Sequence, residues 1–89
     1  MKVVFILIGR RVEEAVKVQS VLSEFGDIIK TRLGINREMS RENDASGFIF
    51  LELFGEDRRF DELCQALNKI PDVKAECLNI EFSRGSCED

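Results

Sequence analysis

The chain has 89 residues, enough for one hydrophobic core and too few for two. Hydrophobic residues make up 44% and charged residues 34%, a composition that excludes a disordered chain. Lys and Arg total 13 against 17 Asp and Glu, and the resulting formal charge of -4 offers no general attraction to nucleic acid or an anionic membrane.

The first element is predicted over residues 3–8, Val-Val-Phe-Ile-Leu-Ile, a continuous apolar run that fits a strand buried on both faces. The run ends at Gly9-Arg10-Arg11, shorter than the apolar region of a signal peptide and with no small-residue cleavage site after it. No stretch approaches the roughly 20 apolar residues of a membrane span. From Val12 the period changes. Val12, Ala15, Val16, Val18, Leu22 and Phe25 form one helical stripe, with Glu13, Glu14, Lys17, Ser20 and Glu24 opposite. Gly26 ends this helix as a residue able to take positive φ.

Over residues 27–38, Ile29, Thr31, Leu33 and Ile35 alternate with Lys30, Arg32, Gly34 and Asn36, the pattern of a half-exposed strand. Turn formers and charges over residues 40–47 predict a mobile hairpin loop. A third strand follows over residues 48–54, apolar on both faces, and Gly55-Glu56-Asp57 marks a turn. Phe60, Leu63, Cys64, Leu67 and Ile70 then recur at helical spacing until Pro71 stops the helix. Val73 to Phe82 reads as the last strand and residues 83–89 as a flexible C-terminal tail, leaving a single domain over residues 1–82.

Strand, helix, strand, strand, helix, strand is the split βαβ plan. It predicts an α+β, ferredoxin-like βαββαβ two-layer sandwich with a four-stranded antiparallel sheet, its first and third strands central. Two helices cover only one face of such a sheet, yet large apolar residues of the first and third strands point to both sides. In the last strand, Val73, Ala75 and Cys77 share one parity and Leu78, Ile80 and Phe82 the other. Either a bulge near Cys77 reconciles the two sets, or Leu78, Ile80 and Phe82 form an oligomer interface. A homodimer or homotetramer, joined through the open face or a strand edge, is the expectation.

The stretch Asp27-Ile28-Ile29-Lys30-Thr31-Arg32-Leu33-Gly34-Ile35, with Leu67-Asn68-Lys69-Ile70-Pro71-Asp72-Val73-Lys74 further on, resembles the iron-only hydrogenase system regulator family. The likeness spans about residues 2–82, and Arg32-Leu33-Gly34-Ile35 is its most specific part. Asn36 stands where the pattern leads one to expect proline, and the Cys87 tail has no counterpart in it. That family looks like the ACT domains and the C-terminal regulatory domain of the nickel-responsive repressor. The resemblance implies an ACT-like, oligomeric, stand-alone module that senses a small molecule or regulates a protein, linked to hydrogenase expression or maturation. It also implies ligand binding at Gly9, Arg10 and Arg11, where unpaired N–H groups at a helix start and a guanidinium favour a small anion. A protein-interaction subunit that binds no ligand is the alternative reading.

Lys30, Arg32, Arg37 and Arg41 form a basic run without interleaved aromatics, which suits edge protection or an acidic partner better than nucleic acid. Arg58 and Arg59 read as a solvated turn. Three cysteines with no CxxC spacing, in a chain without histidine, argue against a disulfide framework or zinc site and for a reducing, cytoplasmic setting. Cys64 and Cys77 are expected to fill the core, with a redox or iron–sulfur role the alternative, chiefly for Cys77. No metal, cofactor or catalytic residue is expected. Acylphosphatases share this fold and use an arginine and an asparagine, roles open to Arg10 and Asn36, but the phosphate-cradling sequence around them is absent.

Overall fold

A computed structural model describes residues 1–9, 12–36 and 47–83. Four strands, β1 (Lys2–Ile8), β2 (Ile29–Asn36), β3 (Gly47–Leu53) and β4 (Val73–Asn79), form one sheet in the order β2-β3-β1-β4. Every neighbouring pair is antiparallel. Helix α1 spans Val12–Glu24 and α2 spans Asp57–Asn68, with a short 3-10 turn over Gly26–Ile28 between α1 and β2. This is the ferredoxin-like βαββαβ sandwich, with the two most apolar strands at its centre.

Strand alternation divides β1 between two environments. Val4 and Ile6 pair with Leu51 and Ile49 on one side and with Cys77 and Ala75 on the other, and this row joins the core. Val18, Leu22 and Phe25 of α1 and its end, and Leu63 and Leu67 of α2, close that core from above. Burying these side chains contributes roughly 1.5–3 kcal/mol each before conformational entropy is counted.

Helix α1 is rotated from the expected phase. Glu14, placed on the polar face by the sequence pattern, is 3% exposed, whereas Val16, placed on the apolar stripe, is largely open to solvent. Residues 14, 18, 22 and 25 set the buried line, and Val16 lies off it. Gly26 opens the 3-10 turn and does not take positive φ; among the described residues that conformation falls to Gly55 and Asp72.

Two further details of the strands differ from expectation. The β1–β4 register runs unbroken from Lys2↔Asn79 to Ile8↔Val73, so no bulge interrupts β4 near Cys77. A register shift sits in β2 instead, between Ile29 and Thr31. It sends Ile29 into the helix-side core while Thr31, Leu33 and Ile35 line up on the opposite face. The hairpin loop expected over residues 40–47 lies outside the described residues, apart from Gly47, as does residue 84 onward of the expected tail.

Candidate functional site

The sheet face away from the helices carries the principal surface feature. Phe5 of β1 lies opposite Phe50 and one step from Phe48. Its ring centroid is 5.4 Å from that of Phe50 and 6.0 Å from that of Phe48, so three aromatics pack together on a face that neither described helix covers. Around them Leu7, Leu33, Ile35 and Leu78 stand exposed, each at 43% or more. Ile80, just beyond β4, extends the ladder: its N–H donates to the Met1 carbonyl at 2.8 Å and its carbonyl accepts from the Met1 ammonium at 2.8 Å. Two carboxylates stand within this face: Glu52 of β3, opposite Val3, pairs with Lys30 at 3.7 Å, and Glu76 of β4, opposite Phe5, pairs with Lys74 at 3.4 Å.

Leu78, Ile80 and Phe82 therefore do not share one environment. Leu78 belongs to the open face, Ile80 borders it beside Met1, and Phe82 is 84% exposed beyond the strand. The sequence reading did not single out Phe5, Leu7, Leu33, Ile35, Phe48 and Phe50. The signal was present in the unbroken apolar runs, which leave no polar parity for an exposed face.

At the end of β1, Gly9 is buried, and its N–H donates to the Asp72 carbonyl at 2.8 Å. A Cβ on Gly9 would overlap the Asp72 carboxyl group, which would have to turn aside to admit it. Asp72 itself sits at φ 62°. Arg10 and Arg11, expected beside Gly9 as ligand-binding groups, lie outside the described residues, as do Arg37 and Arg41 of the basic run. Asn36 ends β2, and the structure describes its backbone alone.

Three other groups take roles the sequence did not reveal. Cys64 of α2 and Cys77 of β4 form a disulfide, with Cα atoms 6.4 Å apart. This corrects the expectation of two separate core thiols, because the α2–β4 turn folds the strand back under the helix and brings together residues 13 apart. Arg59 is not a solvated turn residue: its guanidinium lies 4.6 Å from the Phe25 ring centroid and donates to Asp27 Oδ1 at 2.5 Å. Asn68 at the end of α2 accepts from the Ala75 N–H at 2.9 Å and donates to the Ala75 carbonyl at 3.1 Å, covering that point on the outer edge of β4.

A groove of about 160 Å³ runs between α1 and the edge strand β2. Its walls include Ile8, Ala15 and Ile49, with Gln19 of α1 and Arg32 of β2 as polar members. Arg32 and Gly34 pair with Leu51 and Ile49, so they lie on the helix side of the sheet, while Leu33 and Ile35 point to the open face.

No family model and no curated protein matches the chain. Among solved structures it is similar to an uncharacterized protein from Thermotoga maritima at 22% identity and a TM-score of 0.77, covering 90% of this chain and 95% of that one. That likeness carries the fold alone. A 5-chloro-2-hydroxyhydroquinone dehydrochlorinase from Burkholderia phenoliruptrix has a TM-score of 0.44 at 10% identity, over 96% of this chain and 98% of that one. An antibiotic biosynthesis monooxygenase has 0.43 at 11%, over 91% and 98%.

Proposed function

We propose that the chain is a stand-alone, non-catalytic regulatory module that senses a small molecule and works as a homo-oligomer. Its basic unit is a dimer closed over the open sheet face. The observation that carries this reading is the Phe5–Phe48–Phe50 cluster with its exposed aliphatic surround. Contiguous apolar surface on this scale is a liability for a monomer and a ready contact for a second copy. A two-fold axis through the face brings the same patch from each chain together, with Glu52 and Glu76 each already paired with a lysine of its own chain.

The regulatory setting we assign is iron-only hydrogenase expression or maturation, on the strength of the sequence resemblance around Arg32-Leu33-Gly34-Ile35. The described helices include none long and apolar enough to cross a membrane, and a cytoplasmic location forms part of this proposal.

Sedimentation equilibrium over a wide concentration range tests the dimer. Wild type is expected at twice the chain mass or a multiple of it, and Leu33→Glu and Leu78→Glu at the monomer mass. Both sites are exposed, so these variants keep a folded circular dichroism spectrum. A wild-type chain that stays monomeric throughout refutes the proposal. For the regulatory half, disrupting the gene is expected to change hydrogenase transcript or activity in the source organism, and unchanged levels refute it.

A further inference from the structure

We propose that the α1–β2 groove binds a small carboxylate carrying a short aliphatic body, with Arg32 as its anchor. The proposal deepens the ligand-sensing half of the reading above and needs no dimer. Its starting point is that Arg32 has no ion-pair or hydrogen-bond partner among the described residues. Lys2, Lys17, Lys30, Arg58, Arg59 and Lys74, by contrast, all have carboxylate neighbours, and among the described lysines and arginines Lys69 alone shares the lack.

The groove around Arg32 is built unevenly. Arg32 and Gln19 are its polar lining residues, and Ile8, Ala15 and Ile49 are among its apolar ones. A guanidinium binds a carboxylate through two parallel N–H donors, and the aliphatic wall suits a hydrocarbon body. The volume of about 160 Å³ falls below the several hundred of drug-sized sites, so the occupant is small.

Gly34 explains why the space exists. A Cβ built on it meets no heavy atom within 4 Å, so any larger residue there would project into open groove. The most specific part of the sequence resemblance thereby divides into two jobs. Leu33 and Ile35 face the open side of the sheet, Ile35 also bordering the groove, whereas Arg32 and Gly34 supply an anion anchor and the room beside it.

Two-dimensional amide NMR of the full chain, titrated with butyrate and separately with inorganic phosphate, tests the assignment. Butyrate is expected to shift the Ala15, Gln19, Arg32 and Gly34 resonances saturably. Arg32→Gln should weaken binding about tenfold or more, the loss of a charge-assisted pair. Gly34→Val, which meets no steric obstacle and suits a strand, should keep the fold and abolish the shifts. Arg58→Gln, remote on α2, should bind as wild type does. Absence of saturable shifts, or shifts that persist unchanged in Arg32→Gln and Gly34→Val, overturns the site. Tighter binding of phosphate than of butyrate overturns the carboxylate assignment. Because the readout does not depend on chain mass, failure here and failure of the dimer are separate results.

Discussion

Breaking the Cys64–Cys77 bridge should cost this domain a large share of its stability. The two residues are separated by 13 positions, and closing a loop of that size removes unfolded-state entropy worth about 3 kcal/mol. Small domains gain only about 0.05–0.15 kcal/mol per residue in total, so the bridge rivals the rest of the net balance at the lower end. A loss of about 3 kcal/mol corresponds to a fall in melting temperature of roughly 12–24 °C for a domain of this length. Thermal unfolding by circular dichroism, with and without reductant, measures the change, and Cys77→Ala should melt close to the reduced wild type. Thiol titration of the denatured, unreduced chain should find one of the three cysteines free and all three after reduction. Three free thiols before reduction, or melting temperatures that coincide in both conditions, would refute the reasoning.

Two further changes probe how the segments are held together. Gly9→Ala pushes the exposed Asp72 carboxyl aside and should cost about 0.5–1.5 kcal/mol. Asp72→Gly, which removes that carboxyl and relieves the positive φ, should restore most of the loss in the double variant, as urea denaturation would show. Arg59→Ala removes the contact with Phe25 and Asp27 at a partly exposed site, with an expected loss of about 1 kcal/mol. Arg59→Lys, which lacks the planar fork, should recover only part of it.

The central strands were legible because β1 and β3 face apolar surroundings on both sides, and nothing polar interrupts residues 3–8 or 48–51. Helix α2 was legible for a related reason: Leu63, Leu67 and Ile70 at helical spacing leave a single apolar stripe. Helix α1 offered two competing stripes, and the choice between Glu14 and Val16 lies with the sheet and α2 rather than with the helix itself. The buried Glu14 Oε2 has no hydrogen-bond partner among the described residues, a cost that no pattern of hydrophobicity would anticipate. The disulfide was hidden because cysteine counting sees spacing along the chain, whereas Cys64 and Cys77 meet through the α2–β4 turn. The open face was legible as a surplus of apolar residues in the central strands. Its contributors from β2 were obscured because one unbroken alternation placed Ile29 with Leu33 and Ile35. The groove could not be seen in sequence at all, since its lining comes from α1 and from the sheet together.

The register shift between Ile29 and Thr31 has a consequence for how far β2 can change. Without it, simple alternation would put Ile29 on the same side as Leu33 and Ile35, emptying a place in the core. Were Ile29 held in the core instead, Leu33 and Ile35 would turn inward, and Arg32 would be carried out to the aromatic side. A single-residue insertion or deletion at Lys30 would thus exchange which β2 side chains face the groove and which face the aromatics, leaving β1, β3 and β4 as they are. Substitutions in this strand can be tolerated one at a time, but its length upstream of Thr31 is fixed by both surfaces at once.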